Sequence, residues 1–152
     1  VKTKLLLYSV MLLLSGCSLF DPCYGSDPAP IMPVSFYFTD NDGVNLVGDN
    51  GGAVHPDSVR VKSNMPPFIV NPSKEYRPKK GGFVFDVFPG QGKSGTTTYY
   101  IKLAEGFSDT LVVSYLVDNS GCFSSLEYTE FFHNGKEIIM EPETGYLQLV
   151  KE

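Results

Sequence analysis

The chain has 152 residues and a formal net charge of −5, with 11 Phe and 9 Tyr but no Trp. That length allows one domain and a tail, and a mild acidic balance argues against nucleic acid as a partner, because phosphate binding needs clustered Lys and Arg. Gly occurs 15 times and Pro 11 times, which suits a β fold with many turns better than a helical one.

Lys2 and Lys4 form a basic start, Leu5 to Leu14 is an apolar run broken only by Tyr8 and Ser9, and Ser15, Gly16 and Cys17 follow. A charged start, a short apolar region and small residues before a cut make the plan of a secretory signal. The run is too short to span a bilayer, which takes about 20 apolar residues. The block Leu14-Ser15-Gly16-Cys17 resembles the lipobox of bacterial lipoproteins, whose form is a leucine, two small residues and a cysteine. The resemblance implies that diacylglycerol joins the Cys17 thiol, that the peptide is cut before Cys17, and that the new amino terminus is acylated too. At roughly 0.8 kcal/mol per buried methylene, one acyl chain anchors marginally and two anchor stably. Ser18 stands where lipoproteins held at the inner membrane generally carry Asp, so the resemblance points to the outer membrane. The plainer alternative is a buried N-terminal helix with an incidental cysteine.

The chain therefore divides into a signal over residues 1–16, a Pro-rich tether over 17–32 and a folded body over 33–152. Pro22, Pro28 and Pro30, interleaved with Gly25, Ser26 and Asp27, give the tether its character. With Cys17 carrying lipid, Cys23 and Cys122 remain. An exported chain meets an oxidising compartment, so these two form a candidate disulfide. Closing so long a loop stabilises by up to about 4–5 kcal/mol on chain-entropy grounds. Two free thiols are the alternative. Without a C-x-x-C, and with two histidines away from the thiols, no zinc site is expected.

From Pro33 onward the hydrophobic period is two. In "VSFYFTD" Val34, Phe36 and Phe38 share one face and Ser35, Tyr37 and Thr39 the other, which predicts a half-buried strand. "NDG" at 41–43 marks a turn. "DSVRVKS" alternates Val59 and Val61 with polar residues, and "PFIVNP" reads as an edge strand between prolines. "GGFVFDVFPG" places Phe83, Phe85 and Val87 together. "TTTYYIKLAEG" turns Tyr99, Ile101 and Leu103 inward and Tyr100 and Lys102 outward. "DTLVVSYLVD" is apolar on both faces, as a central strand would be. Asn134-Gly135 between two runs is a hairpin signal. Ser124-Ser125-Leu126-Glu127 could open a short helix through a capping box, but its neighbourhood favours a strand. About seven to nine short strands result, and the expected fold is all-β, an antiparallel two-sheet β-sandwich of the immunoglobulin or prealbumin kind.

Several motifs invite chemistry. Gly92-Lys93-Ser94, within residues 89–98, resembles the close of a P-loop. Val87 stands where the first P-loop Gly belongs, however, and a β-forming run follows where a helix is needed. A Gly-rich hairpin loop is expected instead. Asp40, Asp42 and Asp49 offer hard oxygen ligands for calcium, but the EF-hand spacing fails and turn chemistry is the simpler reading. His55 and His133 are read as solvated loop residues, since no G-x-S-x-G elbow accompanies them. Asp57-Ser58-Val59 and Asp109-Thr110-Leu111 resemble the O-glycosylation acceptor sites of envelope proteins in the Bacteroidetes group. Together with the lipobox, the Pro-rich tether and the β body, they make the chain similar to small envelope lipoproteins of such bacteria. Ser58 and Thr110 are the implied acceptors; an Asp making a local turn bond is the alternative. Tyr37, Tyr76 and Tyr100 fall on outward positions suited to stacking on sugars or anchoring an interface. "YRPKK", residues 76–80, reads as a solvated loop or a blunted sheet edge.

The expectation is a lipid-anchored cell-envelope protein with a non-catalytic domain and no metal or cofactor. Its partners would be the membrane, through Cys17, and an envelope protein or glycan. The alternative is a lipid-anchored hydrolase or accessory enzyme acting on polysaccharide or peptide, for which His133 beside a Ser and an Asp, or paired carboxylates in a cleft, would speak.

Overall fold

A computed structural model describes Cys23 and residues 32–48, 53–89, 93–104 and 107–151. Residues 1–22 and 24–31 lie outside those residues, and with them the expected signal, the expected lipidation site Cys17 and most of the expected tether. The chain forms two compact units. In the first, Cys23 is joined to Cys122 by a disulfide with its Cα atoms 5.1 Å apart. Its Asp118–Ser125 stretch bends between strand ends and carries local polar bonds, among them Ser124 Oγ donating to Asn119 Oδ1 at 2.5 Å. The Ser120 backbone N–H donates to Asp118 Oδ1 at 2.8 Å, and this bond holds the Asp118 carboxyl below the usual carboxylate range.

The second unit, Ile31–Val117 with Leu126–Glu152, is an all-β sandwich. Its strands are β1 (Val34–Thr39), β2 (Arg60–Ser63), β3 (Ile69–Val70), β4 (Ser73–Arg77), β5 (Gly82–Val87), β6 (Gly95–Ala104), β7 (Phe107–Asp118), β8 (Ser125–His133), β9 (Lys136–Ile138) and β10 (Tyr146–Val150). One sheet runs β10-β1-β5-β4 and the other β3-β2-β6-β7-β8-β9. The two-residue β3 is an edge strand, as its flanking prolines dictate. Ser125 opens a strand, so the capping-box helix does not form.

The core lies between the sheets. Val34, Phe36 and Phe38 from β1, Phe85 and Val87 from β5, Tyr99, Ile101 and Leu103 from β6, Leu111 and Val113 from β7, and Leu147 and Leu149 from β10 are fully or almost fully buried. Phe36, Phe38 and Phe85 pack ring on ring, with centroids 5.7 to 6.5 Å apart, a geometry that adds to burial alone. The alternation expected for β6 is the one observed.

Three findings refine the expected sandwich, the second and third of them as corrections. The first and last strands pair in parallel, Ser35 with Tyr146 through Thr39 with Val150, within sheets that are mainly antiparallel. Both strands start from the same end of the sandwich, β10 after the chain has passed through the second sheet. Second, β1 is not half-buried. It is flanked by β10 and β5, and Tyr37 and Thr39 on its other face are 5% and 0% exposed. Third, the segment after Val87 is no hairpin loop. It carries the chain from β5 in one sheet to β6 in the other, and residues 90–92 within it lie outside the described set.

The registers define two ends. Val34, which starts β1, lies opposite Val87, which ends β5. Gly95, which starts β6, lies opposite Tyr115 near the end of β7. Ser63, which ends β2, lies opposite Tyr99. This is the proximal end, where the chain arrives from the N-terminal segment. Thr39, His133, the Asn134-Gly135 turn and Lys151 mark the distal end. There Lys151 N–H donates to Thr39 O at 2.7 Å, and Asn134 N–H donates to Thr110 O at 2.9 Å.

Candidate functional site

At the distal end one carboxylate gathers a polar cluster. Asp109 sits early in β7, opposite Ile101 of β6, and its side chain is 1% exposed. Its Oδ1 accepts from Asn134 Nδ2 at 2.7 Å and from Lys151 Nζ at 2.8 Å. His133 Nε2 stands 3.6 Å from the same oxygen and 3.3 Å from Asn134 Nδ2. Asp109 Oδ2 is buried and has no hydrogen-bond partner among the described residues.

Asn134 is the organising residue. Its φ of 49° and the 80° of Gly135 are the left-handed pair that a tight two-residue hairpin requires. This turn fixes β8 against β9, with His133 opposite Lys136. The Asn134 side chain then bridges to β7. Its Oδ1 accepts from the Thr110 N–H at 2.8 Å and the Thr110 hydroxyl at 3.3 Å, while its Nδ2 serves Asp109. His133, Asn134 and Lys151 border a surface hollow of about 360 Å³ that Gln148, Ile138 and Glu137 also line.

A second cluster covers the outward face of β1. Tyr37 donates its hydroxyl to Glu141 Oε1 at 2.5 Å. Lys80 Nζ donates to Glu141 Oε2 at 2.5 Å and to the Tyr37 oxygen at 3.2 Å, and it lies 4.7 Å from the Tyr37 ring centroid. Burial raises Glu141, but the bonds from Lys80, Thr144 and Tyr37 outweigh it and hold the carboxyl below its ordinary range. Burial alone would lower Lys80, and its bonds to Glu141 and Tyr37 hold it above its ordinary value instead. Tyr37 is pushed up, first by burial and then by its bond to the carboxylate.

The sequence-derived residues fare differently. Tyr37 is covered by these partners and is no exposed platform, whereas Tyr76 and Tyr100 are 51% and 48% exposed. His133 is no solvated loop residue: it closes β8 and is 6% exposed. His55 stands on the surface, where its Nδ1 accepts from the Asp57 N–H at 3.2 Å. Asp40 spends its carboxylate on its own turn, with Oδ1 accepting from the N–H groups of Asp42 and Val44. Asp49 lies outside the described residues. Among the described residues no His, Cys, Asp and Glu group of three or more could hold a metal ion. Ser94 Oγ accepts from Val117 N–H and is tied to β7. Ser58 is exposed on the 3-10 turn Pro56–Ser58. Thr110 is half-buried in a central strand with its hydroxyl engaged. Arg77 pairs with Glu75, and Lys80 of the "YRPKK" patch with Glu141.

Lys151 and Glu141 carry no motif in the sequence, and Lys80 enters it only as part of the "YRPKK" patch. Asn134 was read only as a turn former, and Asp109 only as part of a modification motif. No family model matches the chain, and neither a curated protein nor a solved structure does.

Proposed function

We propose that this is a lipid-anchored cell-envelope protein whose β-sandwich is a non-catalytic module that binds a protein or glycan partner or supports an envelope complex. The lipobox Leu14-Ser15-Gly16-Cys17, after a basic start and a short apolar run, carries the reading. Ser18 favours the outer membrane. The polar clusters support the non-catalytic part, because their hydrogen bonds are turned inward and tie strand to strand. Tyr76 and Tyr100 supply half-exposed rings for a partner. Ser58, on its exposed turn, is the more accessible of the two acceptor hydroxyls, and Thr110 in its strand is the less accessible.

The approach of His133 to Asp109 is the one observation that favours the hydrolase alternative. Both side chains are buried, however, and Oδ1 is already held by Asn134 and Lys151, an arrangement that fixes a hairpin rather than meets a substrate.

Expression in a bacterium tests the reading. The parent should fractionate with membranes and show an intact mass that includes acyl chains. Cys17→Ala should release the protein from stable anchoring and remove that mass. An unmodified Cys17 in the parent would overturn the proposal.

A further inference from the structure

The proximal end of the sandwich collects apolar side chains that folding has left in water. Residues Asn64 to Ile69 are all exposed, with Phe68 at 62% and Ile69 at 71%. Phe88, just past β5, is 53% exposed, and Met32, just before β1, is 70% exposed. Pro66, Pro67, Ile69 and Phe88 border one hollow of about 710 Å³, so the loop and Phe88 form a continuous surface. Gathered exposed apolar groups of this kind mark a binding surface.

We infer that this end docks on the lipid surface to which the chain is tethered, with Phe68, Ile69 and Phe88 entering the interfacial layer. The inference rests on the lipobox reading for the nearness of the membrane. Three observations select lipid as the occupant.

The first is the backbone of the loop. Leaving water costs several kcal/mol for each unsatisfied polar group. Here the Asn64 N–H donates to Thr98 O at 3.0 Å, and Phe68 O accepts from the Ser63 N–H at 2.9 Å. The Met65 N–H donates to Ser63 Oγ at 3.0 Å. Pro66 and Pro67 have no N–H at all. The loop tip can therefore enter an apolar layer with few unsatisfied donors.

The second is charge. Asp86 is the one carboxylate among the described residues lining the hollow, and the hydroxyls of Ser35 and Ser73 donate to it at 2.6 and 2.9 Å. Lys62, opposite Ile69, and Lys93, before β6, make no ion pair among the described residues. On a chain of net charge −5 these are two exposed ammonium groups, one beside the loop and one before β6, suited to anionic headgroups.

The third is position. Cys17 stands 15 residues before Met32 in sequence, and a chain reaches at most about 3.6 Å per residue. An anchor at Cys17 therefore holds this end, where β1 begins, at high effective concentration over the bilayer, and a weak patch suffices.

The absence of Trp makes the test clean. The full chain is expressed in a bacterium as Phe68→Trp and, separately, as Phe88→Trp and Tyr76→Trp. Each is placed with vesicles of phosphatidylethanolamine and phosphatidylglycerol carrying acyl-chain bromines, and the intact mass of each reports acylation independently. The expected result is blue-shifted emission quenched several-fold more at positions 68 and 88 than at 76. An acylated protein with emission unquenched at both 68 and 88 would overturn the docking and leave the anchor standing. Quenching at 68 and 88 without acylation would uphold the docking and overturn the anchor. Blue-shifted emission that bromine does not quench would replace lipid with a protein occupant or a second copy.

Discussion

The two ends of the sandwich invert one another. At the distal end polar groups are inside: Asp109 is 1% exposed and is gripped by Asn134 and Lys151. At the proximal end apolar groups are outside, on a loop whose backbone donors are bonded at Asn64 and Met65 and absent at Pro66 and Pro67. A buried polar group stabilises only when its partners are supplied, and at the distal end the chain supplies them itself. An exposed apolar group stabilises nothing until something covers it. Stability should therefore be sensitive at the distal end and almost indifferent at the proximal end, whereas contact with an external surface should show the reverse.

The largest expected effect comes from breaking the distal cluster. Asp109→Ala removes the charge that holds Lys151 and leaves the Asn134 amide without its acceptor, and we expect a loss of about 3 kcal/mol in urea unfolding. Asp109→Asn keeps the shape and should lose less. A change under about 0.5 kcal/mol for Asp109→Ala would mean that the two ends do not differ in this way. Next comes Gly82→Ala. A Cβ at Gly82 would stand 2.4 Å from Asn45 Cγ and 2.5 Å from the Val47 carbonyl oxygen, so Asn45 or the backbone must move. The expected cost is about 1–3 kcal/mol, read by thermal or urea unfolding.

Sequence pattern reached the parts of this structure that depend on local period. The alternation of Tyr99, Ile101 and Leu103 against Tyr100 and Lys102 is the burial pattern of β6, and Asn134-Gly135 forms its hairpin, because both signals act within one strand or one turn. What failed depends on contacts between segments far apart in sequence. Tyr37 sits at an outward position of β1, and only the approach of Lys80 and Glu141 buries it. His133 beside an Asn-Gly turn has the local look of a loop residue, but the end of β8 folds against β7 and removes it from water. The parallel pairing of β1 with β10 joins opposite ends of the chain, where no local pattern operates. The disulfide is a distant contact of another kind: only if Cys17 carries lipid does the cysteine count leave Cys23 and Cys122 as the candidate pair, and these two are bonded. The candidate lipid site was legible as a motif, while the apolar proximal surface was not, because Phe68 and Ile69 in sequence look like any strand residues.

A smaller effect should follow pH through Tyr37, Lys80 and Glu141. Glu141 is held below its ordinary value of 4.5, so its stabilisation is present above that value and is lost as pH falls through the lower folded one. Lys80 is held above its ordinary 10.5, so its contribution is present below that value and is lost as pH rises through the higher folded one. Both operate at neutral pH. Glu141→Gln should cost about 1–2 kcal/mol there, and it should shrink the fall in stability on acidification. Urea midpoints at pH 3 and pH 7 check both arms. An acid loss of unchanged size in Glu141→Gln would assign it to other carboxylates.

The smallest expected effect is on folding at the proximal end. Phe68 is 62% exposed and Ile69 71% exposed in the folded chain, so most of their surface gains nothing from folding at about 25 cal/mol per Å² buried. The backbone bonds that shape the loop run through Asn64, Met65 and Ser63 and through the Phe68 carbonyl, and a side-chain change leaves them in place. Phe68→Ser and Ile69→Ser should therefore shift the unfolding free energy by no more than about 0.5 kcal/mol each. The same substitutions should weaken vesicle contact, read as loss of bromine quenching from a Phe88→Trp reporter. A loss of about 2 kcal/mol on Phe68→Ser would instead class Phe68 with the core, and its exposure would then be no sign of a surface awaiting a partner.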